Sequence, residues 1–452
     1  MDSKHLEKKY ESLSDRMDLH TAMAAEEKAI KRFRDAEAEE TEGSGIDRRT
    51  FLAAAGATAA AAGTVLGTGA AKAGLAERVA GITQDDPMQT IGLGVSVQER
   101  FFNRFKEDTG LDVSGTVAGL SEMITKFITG GNKTYSMIET NAYRQPALRE
   151  AEVIVPIPAE KITNWEFADS LYTQPGHIGA DDVTGWPSNI VYWDENKDSF
   201  YGVPQFYNMD ALGVLPHKFA PTQPDFAIPD SLGLLYTGKW RDVDATGKTS
   251  IQNDELMGPP RAYSFLWKNG IMDPPKVGNS DMEPDEIAGV VDYLIAAKND
   301  GVFRLIWNNY GEAVNLLASE EVWGMDCWNP VVEDVKKRGI PCWYVDVFEG
   351  TAAWVHTMCL SSEAPEPEVA MAYMDWCLDG WWGSAVAPQG YYSPCPDPVL
   401  NFLTVEDYRR WYQGKDRDTG PKTRRQSNIA FWMVWPTHVT SYIKEWNRFS
   451  AA

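Results

Sequence analysis

Apolar positions first fall into a regular pattern near Thr90, where Thr90-Ile91-Gly92-Leu93-Gly94-Val95 has the length and make-up of a buried strand. Residues 97–108 follow with Phe101, Phe102 and Phe105 at helical spacing, Gly110 closes that helix, and Leu111-Asp112-Val113 predicts a second strand. A strand–helix–strand opening is the unit of α/β architecture. Further strand-like runs lie at residues 153–155 and 211–215, and helical patterns at 284–299 and 366–378, with Pro/Gly-rich joints between them. No internal repeat interrupts this alternation. Single cores stop growing at about 250–300 residues, so a chain of 452 residues is expected to fold as two α/β lobes with a cleft between them, where ligands gather in such folds. Gly92-x-Gly94 lacks the third glycine and the downstream acid of a dinucleotide fingerprint, so no cofactor is expected.

The pattern ahead of this body is different. Asp47-Arg48-Arg49-Thr50-Phe51-Leu52 is followed by an uncharged Ala/Gly-rich run to Ala71, then Ala71-Lys72-Ala73. Twin arginines, an apolar run and a small-x-small end predict a twin-arginine export signal over 46–73, with the twin-arginine translocase as partner. The run approaches the length of a membrane span, about 20 residues, but its composition is weakly hydrophobic. The expected location is periplasmic or extracellular, with a membrane tether if the signal stays uncleaved. Residues 1–45 read as a mixed acidic and basic extension with a solvated helical face.

Composition sharpens the function class. The chain is 43% hydrophobic and holds 17 Trp, 18 Tyr and 17 Phe, enough for a core and for an aromatic-lined cleft. Its formal net charge of −23, of which only −2 falls in the first 73 residues, repels nucleic acid and anionic membranes and favours a cationic or neutral ligand. The five cysteines (Cys327, Cys342, Cys359, Cys377, Cys395) form no Cys-x-x-Cys pair and read as small buried hydrophobes rather than metal ligands.

Four segments in order resemble the polyamine-type extracellular solute-binding proteins of ABC importers, the spermidine/putrescine-binding branch. Tyr201-Gly202-Val203-Pro204-Gln205-Phe206-Tyr207 is similar to that family's first crossover between lobes. Glu321-Val322-Trp323-Gly324-Met325-Asp326-Cys327-Trp328-Asn329 resembles the strand and turn that carry a Trp into the cleft. Glu349-Gly350-Thr351-Ala352-Ala353-Trp354-Val355-His356 resembles the return crossover, and Gln389-Gly390-Tyr391-Tyr392-Ser393-Pro394 the Gly-Tyr-x-x-Pro segment. The resemblance implies a two-lobed, hinge-closing fold: residues 88–206 in lobe 1, 207–350 in lobe 2, and 351–452 returning to lobe 1 with the C-terminal helices. It implies a non-enzymatic role, with a small-molecule solute and an ABC permease as partners. Tyr143, Tyr207, Trp328, Asn329, Trp354, His356 and Tyr391 are the ligand-binding candidates it places. Aromatic faces suit such a ligand, since they pack on methylenes and attract cations by ~0.5–2 kcal/mol per contact.

The chain departs from the family at several positions. His356 stands where an amine-gripping Asp is expected, residues 92–98 contain no Trp or Tyr, and Asp254 and Glu255 stand near but out of register with the expected acidic pair. A rival reading is an extracytoplasmic hydrolase with Asp326 and Glu349 as acid and base.

Overall fold

The computed structural model describes residues 75, 79–173, 199–219, 229–278, 280–412 and 429–452. The expected export signal over 46–73 and the extension before it lie outside the described residues. Among the described residues, no helix is long and apolar enough to cross a membrane.

The first half opens β1 (Met88–Gly92), α1 (Glu99–Thr109), β2 (Val113–Val117), α2 (Leu120–Ile128), β3 (Met137–Asn141). Phe101, Phe102 and Phe105 are the buried face of α1, and Gly110 ends it in the left-handed region at φ 79°, where a residue without Cβ is unstrained. β1 is shorter than its apolar run because the chain turns at Gly92. A Cβ there would lie 2.9 Å from Glu139 Oε2, and the turn instead delivers the Leu93 N–H to that oxygen at 2.8 Å. The second strand enters the sheet at Val113, two residues later than its apolar onset suggests, since Met88 pairs with Val113.

The second half holds β4 (Val203–Val214), β5 (Thr249–Gln252), α3 (Gly258–Lys268), α4 (Pro284–Asn299), β6 (Phe303–Trp307), α5 (Tyr310–Ala318), β7 (Gly324–Trp328) and α6 (Asn329–Lys337). β8 (Thr351–Ser361), α7 (Pro367–Cys377) and α8 (Val439–Ala451) complete the main elements. The strands form one sheet in the order β6-β5-β7-β4-β8-β3-β1-β2, with three short strands attached beside β4 and β8. β2, β1 and β3 are mutually parallel, as are β6, β5 and β7. The antiparallel pair β4 and β8 joins these two parallel triads, Ala352 opposite Asp210 through Met358 opposite Val203. This is the mixed α/β, two-lobed architecture expected. α8 packs on α4, tied by Arg448 to Asp292 at 2.6 Å and by Lys298 Nζ to the Phe449 carbonyl at 3.0 Å.

All five cysteines are free and buried, as their reading as small hydrophobes expects. Burial pushes the Cys342 and Cys359 thiols up to about 12.

Candidate functional site

Registers locate the site before any side chain is considered. β3 ends at Asn141 opposite His356 of β8, and β7 ends at Trp328 opposite Asp210 of β4. The carboxyl ends of the two parallel triads therefore converge on the middle of the β4–β8 seam, residues 206–210 and 352–356. Carboxyl ends of parallel strands are where ligands bind in open α/β sheets. The residues that follow those ends are Tyr143 and Arg144 after β3, Asp254 and Glu255 after β5, Tyr310 after β6 and Asn329 after β7.

Alternation along β4 and β8 divides the aromatic candidates between two faces. His356 stacks on Phe206 with ring centroids 4.6 Å apart and meets Trp354 edge-on at 5.2 Å. Tyr391 meets the same Phe206 edge-on at 5.4 Å. Tyr207 points the other way, into a group formed with Tyr172, Tyr392 and Trp432. Its backbone pairs with Tyr392, so its place is beneath the seam and apart from the Trp354–His356 face. Asn329 also reaches that region, donating from Nδ2 to the Tyr392 hydroxyl at 2.7 Å. Trp328, at the end of β7, keeps partial exposure and stacks on Tyr310 at 6.3 Å with planes 6° apart. Tyr143 is buried beside its neighbour Arg144, and burial pushes its hydroxyl up to about 12.

The seam is held by charges that the sequence motifs did not reveal. Glu139, in the centre of β3, is buried and pairs with His356 Nδ1. It also accepts from the Leu93 N–H and from Ser96 Oγ at 2.7 Å. Burial raises its carboxyl, but the imidazole and these donors outweigh burial and leave it below the usual range. Arg261, near the start of α3, sits between Asp210 at 3.0 Å and Asp326. Trp354 Nε1 donates to Asp210 at 2.8 Å, and Trp307 Nε1 to Asp326 at 2.9 Å. The Trp354 indole thus ties β8 to Asp210 of β4 through its N–H as well as packing edge-on against Phe206 and His356. An acid inside an all-buried strand, as Glu139 is in Met137–Asn141 and Asp210 in Val203–Val214, is the kind of local feature that points to such a network, because a buried acid demands a partner.

The proposed hydrolytic pair does not form a site. Asp326 is committed to Arg261, Trp307 and the Gln252 N–H. Glu349 accepts from Ser231 Oγ at 2.5 Å, the Leu232 N–H at 3.0 Å and Asn269 Nδ2 at 3.2 Å. Among the described residues the two carboxylates share no hydrogen-bond partner, and each is bound up in holding a different segment.

Comparison with known proteins agrees with the two-lobed α/β fold. A spermidine/putrescine ABC transporter substrate-binding protein from Streptococcus pneumoniae superposes with a TM-score of 0.60 at 14% identity, covering 81% of this chain and 99% of its own. A chain from Listeria monocytogenes named for a spermidine/putrescine ABC transporter gives 0.60 at 15% identity over 81% and 99%. A binding protein from A. tumefaciens solved with agropinic acid gives 0.51 at 13% over 81% and 98%. These likenesses are of fold. Residues 100–380 match the family described as bacterial extracellular solute-binding protein, and the chain belongs to that family.

Proposed function

We propose that the chain captures a small amine-bearing, polyamine-like solute outside the cytoplasm and hands it to the permease of an ABC importer. The observation that supports this reading is the grouping of Trp354, His356 and Tyr391 around Phe206 on the β4–β8 seam, where the carboxyl ends of both parallel triads meet, with Trp328 at the end of β7 and the acids Asp254 and Glu255 after β5. Aromatic faces and carboxylates together favour an organic cation. Residues 88–206 with the chain that returns after 351 would move against 207–350 about the two seam strands, closing on the solute, while α8, packed on α4, would travel with 207–350. Arg48 and Arg49 would direct export by the twin-arginine route.

A thermal-shift screen of diamines, amino acids, sugars and oligopeptides tests the ligand class. A solute at 100 times its dissociation constant adds about 2.7 kcal/mol of stability, and it must be recovered chemically unchanged. A response confined to sugars or peptides, or turnover of the compound, overturns the reading. Replacing Arg48 and Arg49 by Lys should block export, and normal export of that variant removes the twin-arginine assignment.

A further inference from the structure

Buried charges at the seam are engaged with one another: Glu139 with His356, and Asp210 and Asp326 with Arg261. Arg144, Asp254 and Glu255 form no ion pair among the described residues. Arg144 follows the carboxyl end of β3, and its Nε is buried with no hydrogen-bond partner among the described residues. Its guanidinium lies against the Tyr143 ring, 5.4 Å from the centroid. Across the cleft Asp254 and Glu255 follow the carboxyl end of β5, both half-buried. Asp254 uses Oδ1 to accept from the Leu256 and Met257 N–H groups, at 2.9 Å each. Among the described residues neither acid forms an ion pair with Arg144, although both act on it electrically. Burial lowers the Arg144 pKa, and the fields of Tyr143, Asp254 and Glu255 together with a hydrogen bond to Tyr143 leave it raised, so the guanidinium stays charged.

The geometry points to a zwitterionic solute, an ω-amino acid whose carboxylate is taken by Arg144 and whose ammonium is taken by Asp254 and Glu255. This rests on the amine-capture reading above and narrows it. A planar guanidinium donates two parallel hydrogen bonds to a carboxylate, a fit that an ammonium cannot make. A diamine would bring its second ammonium against a buried guanidinium, and like charges in a desolvated cleft repel strongly. The Tyr143 ring lies against the guanidinium, and the aromatic side chains of the seam would offer a wall for the methylenes between the two ends.

The test uses matched pairs that differ only at one end: putrescine against 4-aminobutanoate, and hexane-1,6-diamine against 6-aminohexanoate. Calorimetric titration and melting of the full chain should show that an amino acid of one pair binds and its diamine binds more weakly. Arg144→Gln should weaken the amino acid roughly 10- to 100-fold, the loss of a charge-assisted hydrogen bond. The same variant should leave the diamine unchanged or improve it. Glu255→Gln should weaken both compounds. Diamine binding with no amino-acid binding, or amino-acid binding indifferent to Arg144→Gln in a variant that melts like the parent, overturns the zwitterion assignment and leaves amine capture standing. No response to any of the four compounds overturns both.

Discussion

His356 shows how far a single residue can be read. At that position the family resemblance suggests an amine-gripping acid, and the departure to His looks like a change in ligand chemistry. In the structure the imidazole is the partner of the buried Glu139 and is stacked on Phe206. An Asp at 356 would therefore set two carboxylates together without a cation. We expect His356→Asp to destabilise the unliganded protein by about 3–5 kcal/mol at neutral pH, the cost of stranding a buried charge, and Glu139→Gln to restore part of that loss. Chemical denaturation of both variants and the double variant measures it, and a stable His356→Asp protein sinks the pairing argument. Because the Glu139 carboxyl is held below its ordinary 4.5, its contribution is present above pH 4.5 and is lost as pH falls through the lower folded value. Six of the seven candidate side chains carry a ring, and a ring in the sequence does not tell the two faces of a strand apart. Trp354 and Tyr207 show the consequence: each looks like a cleft aromatic in sequence, yet one faces the seam and the other Trp432.

Among the elements, legibility followed the strength of the local code. The helix Pro284–Asn299 could be bounded from sequence because Pro stands at its first turn and Glu283 with Glu286 forms a capping box. The seam strands were harder. β4 and β8 are buried at every one of their 12 and 11 positions, so they carry no alternation, and their full length emerged only from pairing. Their charge network was not legible either, because Asp210, Arg261 and Asp326 are joined only when β4, α3 and β7 meet. That junction makes its own prediction. Burial pushes the Asp210 carboxyl up to about 6, against the pull of Arg261 and the Trp354 N–H. A group raised above its ordinary 3.8 contributes stability that is present below that value and lost as pH rises through about 6. Asp210→Asn keeps an acceptor for Trp354 and removes the titration, so its melting temperature should vary less than the parent's between pH 4 and 6. An unchanged pH profile would mean that Asp210 does not titrate in that window.

For the whole molecule, the sharpest test is where the folded body begins. The extension and signal predicted over residues 1–73 are an address in sequence terms, with no regular apolar face before Arg48. Among the described residues, the first to join the core are Leu75 and Val79, 5% and 9% exposed, packed in the same cluster as Phe101 and Phe105. Gln84 follows and ties this segment to the sheet, accepting from the Asp112 N–H at 2.7 Å and donating to the Asp112 carbonyl at 2.6 Å. A chain starting at Gly74 keeps all of these contacts and should melt within a few degrees of the full chain. A chain starting at Gln84 keeps the hydrogen bonds and loses two buried apolar side chains, at about 1.5–3 kcal/mol each. It should unfold at clearly lower denaturant while binding the same solute, because neither Leu75 nor Val79 is at the β4–β8 seam. Equal stability of the two chains would show that the segment before Gln84 is not part of the core. Loss of solute binding on removing residues 1–73 alone would show that the address segment also serves the site.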